Sequence, residues 1–282
     1  MLSTPTREPH AQRWSRAQGN APYNPRPPSL ATTLPPRSYA HGPATLAWPQ
    51  GRNVHIWRLD LRDMGADAPA LLDAAETERA QRFVYAHDWR RYVTAHAWLR
   101  RILGAYLAVP PQQLRFATDA HGKPVLLQAS PGAGQSPLCF NLSHSKDLAL
   151  IAVTAGIEVG VDIEAVRDDL PGPDLAAGVL SAMELDELAQ CAASDHADMF
   201  VGCWTRKEAC LKALGIGLRL EPRRLHVGLD RQRRTVVVDG ADAPIDIAPL
   251  AAPSGYCAAL AMVGGFAHIE PQVASHHPEW RT

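Results

Sequence analysis

The sequence holds little that would mark a special environment. Its five cysteines, Cys139, Cys191, Cys203, Cys210 and Cys257, form no C-x-x-C pair, which speaks against a zinc knuckle or a disulfide framework. Scattered free thiols read as small buried hydrophobes and suit a reducing, cytoplasmic setting. The twelve histidines contain no H-E-x-x-H or H-x-x-x-H spacing, so a histidine-based zinc site has no support. No charge of one sign dominates either. Lys and Arg number 28 against 29 Asp and Glu, a net charge of −1, which leaves no whole-molecule footprint for nucleic acid or an anionic membrane. The longest mainly apolar run, residues 256–267, is too short and too interrupted by glycine to span a bilayer.

What the chain does hold is 282 residues, 46% of them hydrophobic, enough for one large domain or two of ordinary size. Residues 1–45 stand apart. Nine prolines recur there among Ser, Thr, Ala and Arg without apolar periodicity, and such a stretch cannot offset its ordering entropy. Five arginines against the single Glu8 resemble an organellar transit peptide, but the proline density opposes the amphipathic helix that targeting needs. The segment reads as a disordered tail.

The alternation of Val54-His55-Ile56-Trp57-Arg58-Leu59 predicts a half-buried strand. A helical region follows from about residue 70. Its strongest part places Tyr92, Ala95, Leu99, Ile102, Leu103, Tyr106 and Leu107 three and four apart, and Pro110-Pro111 ends it. Short strands are predicted at 114–116, 125–127, 139–142, 148–154 and 157–163. Two helices, 179–191 and 197–214, then precede strands near 225–229, 235–238, 245–247 and 256–262. Helix first, then several antiparallel-looking strands, occurs twice. This grammar predicts an α+β protein of two similar lobes, residues 46–156 and 157–270, with a frayed end at 271–282.

Three groups carry candidate chemistry. In Val159-Gly160-Val161-Asp162-Ile163-Glu164 a strand ends in two carboxylates on one face, an arrangement that needs either water or a cation; a solvated strand end is the plainer account. In Trp204-Thr205-Arg206-Lys207-Glu208-Ala209-Cys210-Leu211-Lys212, Glu208 and Lys212 share a helix face, either as an ordinary surface pair or as a third metal carboxylate beside a phosphate ligand. Asn141-Leu142-Ser143-His144-Ser145 follows strand-forming residues. A serine hydrolase using Ser143 and a histidine is one reading, weakened by the lack of a G-x-S-x-G elbow; a polar turn that holds phosphate is another. His121-Gly122-Lys123-Pro124 adds a small basic loop.

Taken together and in this order, G-K-P, N-L-S-H-S, V-G-V-D-I-E and W-T-R-K-E-A-C-L-K resemble the 4′-phosphopantetheinyl transferase superfamily. The likeness is to its larger monomeric branch, typified by the surfactin-synthetase activator, and runs from about Val54 to Met262. Such enzymes move phosphopantetheine from coenzyme A to a serine of an acyl or peptidyl carrier protein and release adenosine 3′,5′-bisphosphate. The resemblance implies a pseudo-twofold pair of α+β lobes with coenzyme A in the cleft between them. It further implies a monomer with no nucleic-acid or membrane partner, and a non-catalytic descendant that only binds coenzyme A or a carrier is the remaining alternative.

Residue by residue, the resemblance implies that Asp162, Glu164 and Glu208 hold Mg²⁺ against the pyrophosphate, with Lys212 on a phosphate. Ser143 and His144 would meet the nucleotide phosphates, and Lys123 would sit at the nucleotide. Arg79 and Arg91, by register from Phe83, resemble the basic helical region near the 3′-phosphate. Glu208 and Lys212 are the catalytic candidates, Glu208 as a base for the carrier serine unless a water carries the proton. Arg219, Arg223, Arg224, Arg231, Arg233 and Arg234 form a cluster that would face an acidic carrier, or a basic loop with no partner.

Overall fold

The computed structural model describes residues 37–39, 46–128, 135–166 and 172–274. In chain order the strands and helices are β1 (Arg37–Tyr39), β2 (Val54–Asp60), α1 (Ala74–Gln81), α2 (Ala86–Leu107), β3 (Phe116–Thr118), β4 (Pro124–Leu126), β5 (Leu138–Ser145), β6 (Leu148–Ala155), β7 (Val159–Ala165), α3 (Pro173–Val179), α4 (Ala182–Ala189), α5 (His196–Leu214), β8 (Arg234–Val236), β9 (Ile245–Pro249), β10 (Tyr256–Val263) and β11 (Ile269–Ala274). Two sheets carry the fold, with orders β1-β11-β2-β6-β5 and β7-β10-β9-β8, and β3 and β4 form a separate hairpin.

Strand alternation arranges these sheets as the inner layers of a four-layer sandwich. On β2 and β6, Trp57, Leu59, Ala149, Ile151 and Val153 point to α2 and join Trp98, Leu99, Ile102 and Leu103 in the first core. The intervening Val54, Ile56, Leu148, Leu150 and Ala152 point the other way. They meet Val159, Val161, Ile163, Leu260 and Met262 in a core between the two sheets. The opposite face of β10, with Ala259 and Ala261, packs under α5 against Cys203, Ala209, Cys210 and Ala213. The layers therefore run α2, sheet, sheet, α5, and the expected pair of α+β lobes is what the chain forms.

Several boundaries differ from expectation. The chain returns after the second lobe: β11 pairs in parallel with β2, from Ile269 beside Val54 to Ala274 beside Leu59. The end expected to fray from residue 271 is thus a central strand of the first sheet as far as Ala274; residues 275–282 lie outside the described residues. Within the expected tail, Arg37–Tyr39 pair in parallel with β11, and residues 1–36 and 40–45 are not among those described.

The helix expected over 179–191 is two helices. Leu180 is extended, and Ser181 starts α4 with a capping box in which its hydroxyl accepts from the Glu184 N–H and the Glu184 carboxylate accepts from the Ser181 N–H. Residues 225–229 do not form the expected strand. Their amides donate to carboxylates instead, Val227 and Gly228 to Glu184 at 2.8 and 3.0 Å and Leu229 to Glu187 at 3.1 Å. Side chains satisfy the backbone where a ladder would have done so.

Candidate active site at the seam between the lobes

The site is built where β5, an edge of the first sheet, lies over β7, an edge of the second. Three alternate residues of β5 bridge this seam through their side chains. Asn141 Oδ1 accepts from the Val161 N–H at 2.9 Å, and Ser143 Oγ donates to Asp162 Oδ1 at 2.7 Å. Ser145 Oγ donates to Glu164 Oε2 at 2.9 Å and accepts from the Ala165 N–H at 3.0 Å. The period of two puts Asn141, Ser143 and Ser145 on one face; His144 faces away from them. Ser143 and His144 therefore do not make a nucleophile–base pair, and the hydrolase reading loses its geometry.

On β7 the same period turns Val159, Val161 and Ile163 into the core between the sheets and Gly160, Asp162 and Glu164 toward α5. Gly160 is what lets the helix come down. A Cβ there would lie 2.0 Å from the Ala209 carbonyl oxygen and 2.4 Å from the Ala213 nitrogen, so helix backbone rests directly on strand backbone. This close approach delivers Lys212 to the strand. Its Nζ donates to Asp162 Oδ1 at 2.6 Å and to Ser143 Oγ at 3.0 Å. Asp162 is 2% exposed, and its other oxygen, Oδ2, is buried without a hydrogen-bond partner.

The electrostatics are those of crowded acids around one cation. Desolvation first, and then the Asp162 and Glu208 charges, push the Glu164 carboxyl above the usual range despite the Ser145 hydroxyl and Lys212. Burial likewise raises Glu208, with Lys212 opposing and Asp162 adding to the shift. Burial disfavours the Lys212 charge, but Asp162 and Glu208 outweigh it and its pKa is raised. His144, on the opposite face of β5, is exposed, yet protein crowds it, and this desolvation with His96, Lys212 and Arg91 nearby brings its pKa down to about 4.

Among the described residues no three His, Cys, Asp or Glu side chains are gathered closely enough to form a ready metal cage. The donor set nonetheless fits a hard divalent cation. Asp162 keeps an unpartnered buried oxygen, and the raised acids beside it are relieved by added positive charge.

The other expected residues are distributed as follows. Arg91 donates to Asp147, on the turn after β5, at 2.9 Å and pairs with Asp88 at 3.3 Å, which places it beside His144. Arg79 is exposed on α1, with its guanidinium over the Tyr92 ring at 5.8 Å. Lys123 pairs with Glu158 at 2.5 Å and donates to the Val159 carbonyl at 3.1 Å, tying the β3–β4 hairpin to the start of β7. Of the arginine cluster, Arg231, Arg233 and Arg234 pair with Asp198, Asp246 and Asp230.

Sequence reasoning passed over Asn141 and Ser145, although the alternation within N-L-S-H-S marks them as partners of Ser143. It also passed over His96, which bonds Glu76 at 3.0 Å, stacks on Tyr92 and acts on His144.

Comparison with known proteins decides the family. Residues 158–261 match the 4′-phosphopantetheinyl transferase superfamily, and residues 60–156 match the 4′-phosphopantetheinyl transferase N-terminal family. The chain is 37% identical over 168 residues to the 4′-phosphopantetheinyl transferase HetI of Nostoc sp., an alignment covering 58% of this chain and 70% of that protein. It belongs to the 4′-phosphopantetheinyl transferase superfamily. Similarity extends to the 4′-phosphopantetheinyl transferase psf-1 of Bacillus pumilus, 34% identical over 49% of this chain and 56% of that one. It extends also to the human L-aminoadipate-semialdehyde dehydrogenase-phosphopantetheinyl transferase, 30% identical over 55% and 52% of the two chains. The chain thus spans little more than half the length of these last two relatives. The two family matches meet in the turn between β6 and β7, one ending at residue 156 and the other beginning at residue 158. No helix among the described residues is long and apolar enough to cross a membrane.

Proposed function

We propose that this phosphopantetheinyl transferase takes coenzyme A as donor and a serine of an acyl or peptidyl carrier protein as acceptor, with Mg²⁺ and as a cytoplasmic monomer. The observation that carries the reading is the Lys212–Asp162–Ser143 cluster at the seam between two lobes that each match the family. Coenzyme A would lie along that seam with its pyrophosphate against the end of β7. Arg91 and Arg79 offer positive charge for the nucleotide phosphates, and His144, neutral near pH 7, offers a ring N–H donor beside them. Lys123 would reach the nucleotide only by leaving Glu158.

Asp162, Glu164 and Glu208 would hold the metal, which supplies charge neutralisation at the pyrophosphate. Lys212 then has two roles from one place. It orients Asp162, and it offers donors to phosphate oxygens where negative charge builds as the anhydride breaks. Ser143 holds Asp162 from the other side. Glu208 accepts the proton of the incoming carrier hydroxyl where it stands clear of the metal; where it is a metal ligand, a water takes that proton. The oxygen of the carrier serine bonds to the phosphorus, and adenosine 3′,5′-bisphosphate leaves with the electrons of the broken anhydride bond.

The test is direct. An apo carrier incubated with coenzyme A, Mg²⁺ and the protein should gain the mass of one phosphopantetheine on its serine. No gain on any of several acyl and peptidyl carriers would sink the proposal and leave a chain that binds without turnover.

A further inference from the structure

The lysine that precedes Glu208 does not point to the seam. Lys207 is fully buried behind α5 and pairs at 2.5 Å with Glu184, which is equally buried. Neither group has a spare bond. Lys207 Nζ also donates to the carbonyls of Pro222 and Leu225 at 2.9 and 2.7 Å. Glu184 accepts from the amides of Ser181, Val227 and Gly228. Its neighbour Arg206 extends the grip, donating to the carbonyls of Gly228, Asp230 and Gln232. Two successive helix residues thus hold five carbonyls of residues 222–232, while two acids of α4 hold three of the same segment's amides.

The segment has no sheet partner among the described residues; these side chains tie it to the helix, together with the Arg231–Asp198 pair and the burial of Leu225, Val227 and Leu229 in the core under α5. Contact at Gly160 and the packing of Cys203, Ala209, Cys210 and Ala213 over β10 hold the near side of α5. The grip on the far side adds a second, independent constraint on its rotation. Glu208 follows Lys207 directly and Lys212 lies one turn beyond Glu208, so any roll carries both past Asp162.

We infer that Lys207 and Glu184 are positioning residues for the transfer: their buried pair locks residues 222–232 to the back of α5 and sets the rotation at which Glu208 and Lys212 meet β7. The inference rests on the transferase reading, and the parent protein separates the two. A parent that modifies no carrier defeats that reading, whereas the inference is judged only on variants of an active parent.

The experiment compares Lys207→Met, Glu184→Gln and the double variant by melting temperature and by steady-state transfer, with coenzyme A varied at saturating carrier. The single variants should lose about tenfold or more in kcat while the KM for coenzyme A moves by less than about threefold. Removing both charges should return melting temperature toward the parent without returning kcat, since a neutral pair can pack but cannot grip the same carbonyls. Folded single variants with kcat within about twofold of the parent would overturn the inference. So would a double variant whose kcat recovers together with its stability. If Lys207→Met does not fold, the double variant and Glu184→Gln decide; if none of the three folds, the pair is a folding element and the inference fails.

Discussion

Lys212 and Asp162 face each other across the α5–β7 contact, ammonium to carboxylate at 2.6 Å, with Asp162 nearly inaccessible and Lys212 partly open to the cleft. The asymmetry matters. The lysine can reach a substrate phosphate without releasing the aspartate, whereas the aspartate has nowhere else to turn. Lys212→Met should therefore lower transfer by about 100-fold or more, the scale expected when a donor to developing charge is removed. It should also cost about 1–3 kcal/mol, because Asp162 keeps only the Ser143 hydroxyl as a partner. Urea unfolding and transfer rate measured on the same preparation check both; loss of activity with no loss of stability would mean that the pair does not hold the helix to the strand.

Gly160 provides a test of the backbone contact. Its replacement by Ala places a methyl where only about 2 Å separates it from helix backbone, and neither Ala209 nor Ala213 can yield by rotating a side chain. Either α5 lifts or β7 bends. We expect a destabilisation of about 2–4 kcal/mol from overpacking, with transfer reduced in whatever fraction stays folded because Lys212 is carried away from Asp162. A fully active Gly160→Ala protein of parental stability would show that the helix does not rest on this strand.

Much of this arrangement was legible in the sequence, for a definable reason. Period-two alternation gives the faces of β7, and the four-residue spacing gives the shared face of Glu208 and Lys212, because both are local geometry. What could not be read depends on distant partners. Residues 225–229 alternate like a strand, and Glu184, Glu187, Arg206 and Lys207, about 20 to 40 residues earlier, make them something else. The last strand is interrupted by Pro271, shows no clean alternation and borrows its order from β2, more than 200 residues earlier. The orphaned crowding of three acids, read as waiting for a cation, turns out to be partly answered within the chain by Lys212.

That borrowed strand yields a second stability test. β11 lies between β1 and β2, and Asn53 Nδ2 and His55 Nε2 meet the Glu270 carboxylate at 3.0 and 3.3 Å. Ending the chain after residue 268 strips β2 of one of its two neighbours along Val54–Leu59 and makes it an edge beside β6, while ending it after residue 274 keeps β11 in place. The shorter protein should be insoluble or molten, and the longer should match the full chain in melting temperature and transfer. Equal behaviour of the two truncations would show that the first lobe does not depend on the returning strand.

Raised acids also make a prediction about pH whose sign is opposite to ordinary acid denaturation. In the folded chain Glu164 and Glu208 hold protons that the unfolded chain gives up in the usual glutamate range. Over roughly pH 5 to 8 the folded state therefore binds more protons, and stability falls as pH rises through the window. Other groups add their own slopes, so the informative quantity is the parent compared with Glu164→Gln, which removes one charge yet can still accept from the Ser145 hydroxyl. In chelator the variant should gain on the parent in melting temperature as pH climbs. Mg²⁺ should close that gap, because a cation offsets the same repulsion and needs the carboxylate to bind; its stabilisation of the parent should be small near pH 5 and largest near pH 8. Melting curves at the two ends of the window, with chelator and with Mg²⁺, supply the four numbers required. A gap that does not change with pH, or a Mg²⁺ effect equal in parent and variant, would mean that Glu164 neither carries the strain nor faces the metal.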